Sequence, residues 1–430
     1  MTDLAVAAAD RPTLPPDLSE RLGSPKAWSD IDAMHALFAE LRAHHPLSLA
    51  QAPGFDPFWV VTKHADILEV SRQNALFLSG ARSPVLMQQA LADMIAASDV
   101  EPAHRSIVSM DAPEHPMFRA MTQAWFLPQN VRKREERIRA MARASVARML
   151  ATGGACDFVK DVALHYPLHV IMDILGVPEA DEPLILRLTQ QVFGANDEEI
   201  MEDADASASV SLGPDATFRA LNDYFSGIVE DRRRKGTDDL ATVLANAQID
   251  GAAVPDLELL SYFVTVATAG HDTTSSSTAG AMQQLARDPA MLARLKGDPS
   301  LIPGLVDEAI RWTTPVQHFM RTASEDYALR GRRILKGDWL MLCYPSGNRD
   351  EDVFENPNTF DPSRSPNRHL AFGYGAHLCL GQHLAKLEMR ILFEELLPKL
   401  DRLELAGEPR HTQSVFVGGL KTLPVTFEAA

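Results

Sequence analysis

The chain has 430 residues, 46% hydrophobic and 23% charged, the balance of an ordinary globular protein with enough length for a large core. Its formal net charge of −17 argues against a nucleic-acid partner, which needs concentrated Lys and Arg. Three scattered cysteines, Cys156, Cys343 and Cys379, exclude a disulfide framework and a paired zinc site and fit a reducing cytoplasm.

Residues 1–28 read as a loosely ordered, proline-bearing arm without period and without the basic start of a signal peptide. Ser29-Asp30 caps a helix running to about His44. Residues 58–62 read as a short strand and 65–72 as a helix. Helical periodicity then recurs over 131–150, 164–175, 182–193, 217–234, 255–287, 289–296, 301–312 and 381–397, with a strand pair expected at 327–334 and 339–344. Residues 78–110 and 194–216 are polar and irregular, the length of loop that serves as a lid. The longest apolar run, 259–270, is shorter than the roughly 18 residues of a membrane span. A mainly α chain with small β-sheets is expected, with residues 29–430 as a single domain.

Four stretches carry chemistry. Phe372-Gly-Tyr-Gly-Ala-His-Leu-Cys-Leu-Gly381 crowds three glycines around Cys379 just before a helix, where end N–H groups and the helix dipole favour a thiolate. It lacks the Gly-Lys-Ser/Thr or GxGxxG of a phosphate cradle. Ala269-Gly-His-Asp-Thr-Thr274 is poor helix material inside a long helix, so a local widening or kink is expected beside the carboxyl of Asp272 and the hydroxyl of Thr273; the simpler reading is a back-bonding cluster. Glu308 and Arg311, three apart, read alone as a surface pair worth about 0.2–0.5 kcal/mol. His115 and Arg119 read alone as a helix start with one surface arginine.

In this order the four stretches resemble the cytochrome P450 superfamily of heme-thiolate monooxygenases. The loop matches FGxGxHxCxG at each defining place, 269–274 the oxygen-activation motif, Glu308 with Arg311 the ExxR pair, and Arg364 the arginine that completes it. Runs such as Thr62-Lys-His-Ala-Asp66 look most like the terpineol-hydroxylating bacterial members. The resemblance implies the triangular-prism fold with heme b between the long central helix and the cysteine-loop helix. It implies Cys379 as axial ligand of the iron; His115, Arg119, Arg321 and His377 at the propionates; Phe372, Gly373, Gly381, Ala269 and Gly270 against the heme; and Asp272 with Thr273 as the proton relay. By the same analogy the substrate pocket takes Leu86, Met87, Val266, Ala269, Val316, Phe319 and Phe416, with Met94 and Ile95 nearby and Gln317 or His318 as polar handles.

The activity implied is insertion of one oxygen atom of O2 into a small apolar substrate, a monoterpenoid or an aromatic hydrocarbon. Electrons come from NAD(P)H through a ferredoxin reductase and a [2Fe-2S] ferredoxin, docked on Arg132, Lys133, Arg134, Arg137, Lys386 and Arg390. The protein is expected to be a cytoplasmic monomer with no membrane or nucleic-acid partner. The alternatives are a hydrogen-peroxide-driven heme-thiolate peroxygenase and a non-enzymatic heme sensor.

Overall fold

The computed structural model describes residues 11–97, 103–205 and 214–430. The expected arm over 1–10 and parts of the two irregular stretches, 98–102 and 206–213, lie outside the described residues. Helices dominate, and most fall where periodicity places them: Ile31–His44 is capped by Asp30, whose carboxylate accepts from the Ala33 N–H, and Glu135–Leu150, His165–Ile174, Glu182–Phe193, Asp256–Arg287, Pro289–Gly297, Ile302–Thr313 and Gln382–Leu396 follow.

The main sheet has five strands in the order Leu47–Ala50, Phe58–Val61, Trp339–Cys343, His318–Ala323 and Phe77–Leu78. Trp339–Cys343 runs parallel to Phe58–Val61 and antiparallel to His318–Ala323. Both faces are buried, and the alternation of side chains sorts them into two cores. Phe58, Val60, Trp339 and Met341 pack one side with Leu14, Leu18, Leu22, Trp28 and Phe38. Trp59, Val61, Leu340 and Leu342 pack the other with Ile67, Val70 and Phe77.

Two expectations are corrected here. From Arg11 onward the N-terminus is no loose arm: Pro16–Gly23 and Pro25–Trp28 are helices. Leu22 and Trp28 are 0% and 1% exposed, because the upper face of the sheet needs an apolar cover. The expected strand pair also fails. Tyr327–Leu329 pairs instead with Arg332–Ile334, turning at Arg330 and Gly331, both at positive φ, the geometry of a tight hairpin. Trp339–Cys343 leaves it for the main sheet. The two irregular stretches each contain a short helix, Gln89–Ala96 and Glu198–Asp205.

The central helix, Asp256–Arg287, crosses the largest core unbroken. The widening expected near Gly270 does not interrupt it. Hydroxyls of Thr268, Thr273, Thr274 and Ser277 donate to carbonyls one turn back, at 2.8, 2.9, 3.2 and 3.0 Å, so the β-branched and hydroxyl residues decorate the ladder without breaking it. Gly270 serves packing: a Cβ there would meet Ile171 Cδ1 at 2.9 Å.

Candidate active site

The cysteine loop is built by its glycines. Gly373 and Gly375 hold φ of +70° and +76°, and a Cβ on Gly375 would fall 2.2 Å from the Ser71 carbonyl oxygen, so any side chain there meets backbone. The turn lets the Cys379 N–H donate to the Phe372 carbonyl (3.0 Å) and delivers the sulfur to the end of Gln382–Leu396. There Cys379 Sγ accepts backbone N–H bonds from Gly381 and Gln382. Burial pushes this thiol up, while those two N–H groups and the Arg119 guanidinium oppose the rise. Cys156, by contrast, is pushed up to about 12 by burial and by Asp161 and Asp157, and burial alone raises Cys343. Of the three thiols, only Cys379 has groups arranged to hold a thiolate.

Beside the sulfur lies a concentration of positive charge. Arg119, on Glu114–Gln123, donates to the Leu378 carbonyl (2.7 Å). The His115 and His377 rings lie 4.1 Å apart, tilted by 38°. Arg321 stands one layer behind them, 6% exposed. Burial first, then the Arg321, His115 and Arg119 charges, lowers His377 to about 2. Among the described residues no carboxylate lies within ion-pair distance of Arg119 or Arg321. A buried guanidinium without a counter-ion is costly; Arg321 is such a group, and the half-buried Arg119 lines a cavity.

That cavity lies between the cysteine loop and the central helix, and its lining is mostly apolar. Cys379, Phe372, Gly373, His377 and Gly381 form one wall, and Val266, Ala269, Gly270 and Thr273 of the central helix form another, with Val316 and Phe319 between. The residues fit a heme: a thiolate donor supported by N–H bonds, a cationic edge awaiting two carboxylates, and an apolar remainder.

Several pocket expectations are corrected. Leu86 and Met87 do not line the cavity; they belong to the core above the sheet. Phe416 stands behind Phe319, rings 5.5 Å apart. Met94 and Ile95 are 63% and 53% exposed, on a short helix with no buried residue. Neither proposed polar handle is available. Gln317 Nε2 donates to the Ser414 carbonyl (2.7 Å), and His318 is held between the Val415 carbonyl and the Leu86 N–H (2.9 and 3.0 Å).

Asp272 and Thr273 diverge. Thr273 faces the cavity beside Cys379, whereas Asp272 faces a second, more polar one with His165, Gln190 and Ser275. Burial holds the Asp272 carboxyl above its usual range, opposed by His271, whose Nδ1 lies 3.4 Å from Oδ1. Sequence reasoning missed another carboxyl. Glu388, on the cysteine-loop helix, is fully buried on the cavity wall, hydrogen-bonded to Thr274 and pushed well above the carboxylate range by burial. Its only signal was a Glu between Leu387 and Met389.

The Glu308–Arg311 pair is not on the surface. Both are 0% exposed. Arg311 donates through Nε and Nη2 to the two Glu308 oxygens (2.8 and 2.7 Å) and through Nη1 to the carbonyls of Asn348 and Pro357 (both 2.9 Å). Arg364 Nε reaches the same carboxylate at 3.2 Å, and Asn367 Nδ2 at 3.0 Å. Four of these bonds, from Arg311 to the carbonyls of Asn348 and Pro357 and from Arg364 and Asn367 to Glu308, pin the segment leading into the cysteine loop to the helix Ile302–Thr313.

The family model for Cytochrome P450 matches residues 300–420, which span this network and the cysteine loop. Cytochrome P450-terp of a Pseudomonas species is 48% identical over 98% of this chain and 99% of its own length. The chain belongs to the cytochrome P450 family. A crystal structure of CYP108D1 from Novosphingobium aromaticivorans is 46% identical, with a TM-score of 0.88 over 97% of this chain and all of that one. CYP268A2 of Mycobacterium marinum, crystallised with pseudoionone, is 33% identical, with a TM-score of 0.85 over 98% and 100% of the two chains. This P450 is therefore a monooxygenase that uses heme iron and O2, with the fold of those structures. Among the described residues no helix is long and apolar enough to cross a membrane.

Proposed function

We propose that this P450 is a monomeric cytoplasmic monooxygenase that hydroxylates a small apolar substrate, a monoterpenoid or an aromatic hydrocarbon, in a single domain. The observation that carries the reading is the cavity with the Cys379 sulfur on one wall and the Thr273 hydroxyl on another, its remaining surface largely aliphatic and aromatic. The likeness to Cytochrome P450-terp, and a relative crystallised with pseudoionone, favour the terpenoid side of that range.

Cys379 would ligate the iron, and His115 and Arg119, backed by Arg321 and His377, would take the propionates as charge-assisted partners. When bound, the heme supplies the activation of dioxygen. The protein supplies position and protons. Thr273 Oγ1, held by its bond to the Ala269 carbonyl (2.9 Å), presents its lone pairs to the cavity. Asp272, whose Oδ2 is buried without a partner, keeps a proton more readily than an ordinary carboxyl. It fronts the polar second cavity, from which it would collect protons for Thr273. That pair favours the monooxygenase over the peroxide-driven reading, which needs no such relay.

Thr273→Ala is expected to retain heme and substrate binding while product per electron consumed falls at least about tenfold, within the roughly 10²- to 10⁴-fold that positioned proton transfer contributes. The missing electrons should appear as hydrogen peroxide. Product and peroxide measured against NAD(P)H oxidised decide it, and an unchanged yield removes the role.

Electrons would arrive from NAD(P)H through a reductase and a [2Fe-2S] ferredoxin. The docking patch is narrower than the sequence implied. Arg134 pairs with Asp238, Arg137 with Asp173, Lys386 with Asp307, and Arg390 with Glu135 and Glu394. Arg132 and Lys133 have no carboxylate partner among the described residues. Changing both to Gln is expected to slow reduction by ferredoxin about tenfold at low salt, an effect that added salt erases. A rate with unchanged salt dependence would reject this patch.

A further inference from the structure

We infer that Thr265 determines specificity by recognising a hydroxyl group on the substrate, at the end remote from the carbon that is oxidised. This deepens the monooxygenase reading and rests on it. Thr265 lies on the cavity wall among Ile107, Val108, Val266 and Ala269, where a polar atom is conspicuous. Its Oγ1 donates to the Ser261 carbonyl at 2.7 Å, so its single proton is committed. Ser106 Oγ stands 3.1 Å away and accepts the Val108 N–H at 3.3 Å, which leaves the Ser106 proton directed at Thr265 Oγ1. A threonine hydroxyl offers one donor and two acceptor sites. One acceptor site is therefore left, and it belongs to a group facing an apolar space.

Only a hydrogen-bond donor can use that site. A charged donor is disfavoured, since an ammonium there would be buried with no counter-ion; the carboxyl on the wall, Glu388, is bonded to Thr274 instead. Of the other wall hydroxyls of this helix, Tyr262 is paired with Thr122, while Thr273, Thr274 and Ser277, each donating to a carbonyl one turn back, lie two to three turns further along. An uncharged alcohol is the chemistry that fits. Thr265 and Thr273 are eight residues apart on one unbroken helix, a rise of about 12 Å. A molecule anchored by its hydroxyl at Thr265 thus presents its opposite end toward Thr273.

The test uses the heme-loaded protein and two matched probes, 4-isopropylcyclohexanol and isopropylcyclohexane, with affinities from titration calorimetry. Thr265→Val, which keeps the shape and removes the oxygen, should weaken the alcohol about tenfold, the loss of one hydrogen bond. The hydrocarbon should bind as before. Thr265→Ser should keep the preference for the alcohol. In the unaltered protein, oxidation of the alcohol should fall on the isopropyl end, and in Thr265→Val it should spread over the ring. An alcohol-to-hydrocarbon affinity ratio that Thr265→Val leaves unchanged, or no measurable binding of the alcohol to the unaltered protein, overturns the inference. Hydroxylated hydrocarbon formed alongside an unchanged ratio would leave the monooxygenase reading standing and remove this one alone.

Discussion

Cys379→Ser is expected to abolish substrate hydroxylation and to remove the red-shifted absorption band of the reduced, carbon-monoxide-bound protein. The reason is local and chemical. Gly381 and Gln382 N–H groups and the nearby Arg119 cation oppose the burial that raises the Cys379 thiol, and this is a setting for a sulfur anion. A serine hydroxyl in the same place stays neutral and cannot donate the electron density that a thiolate ligand provides. The backbone bonds of the loop, from the Cys379 N–H to Phe372 and from the Gly373 N–H to Leu370 (3.0 and 2.8 Å), do not involve the side chain, so the variant should fold and still bind heme through its cationic edge. Heme content close to the parent with a lost band would confirm the ligand; a retained red-shifted band would refute it.

The second large effect is on stability. Arg311→Leu should destabilise the protein by about 3–5 kcal/mol, the consequence of removing one member of a buried ion pair and leaving the other in the interior. Glu308 would keep Arg364 at 3.2 Å but lose its bidentate partner, and the carbonyls of Asn348 and Pro357 would lose their Arg311 donor. Arg311→Lys should fall between the two, since one ammonium cannot reproduce the fork. Urea unfolding of parent and variants gives the values. A change below about 0.5 kcal/mol would match an exposed helix pair and would refute the network as a source of stability.

The parts of this protein that were legible in the sequence are those where chemistry is dictated locally. A glycine at positive φ against the Ser71 carbonyl cannot be replaced, so Gly375 marks its own turn. Helices announced themselves by periodicity, and Asp30 announced the cap of its helix. Burial of Glu308 and Arg311 was not legible from their spacing, which suits a surface pair equally well; only their combination with the cysteine loop pointed inward. The N-terminal helices were missed because their partners, Phe58, Met320 and Trp339, are distant in sequence. The cavity wall was partly legible for a related reason. Val266 and Ala269 sit on a regular helix whose face can be counted, while Leu86, Met87 and Phe416 sit in irregular chain where one dihedral decides which way a side chain turns. Glu388 was hidden by its neighbours, since a carboxylate in an amphipathic helix usually faces water.

Phe319 and Arg321 are two residues apart on His318–Ala323 and so point the same way. The first borders the space for substrate, and the second backs the cationic edge. Both are fixed by one antiparallel register, Leu342 opposite Phe319 and Leu340 opposite Arg321. A slip of that register would displace both at once, so selection cannot tune this contact by shifting the strand without also loosening the hold on the prosthetic group. New substrate preferences in this lineage are therefore expected to arise from side-chain exchange at places such as Val266 and Val316, and seldom from insertions or deletions beside the strand.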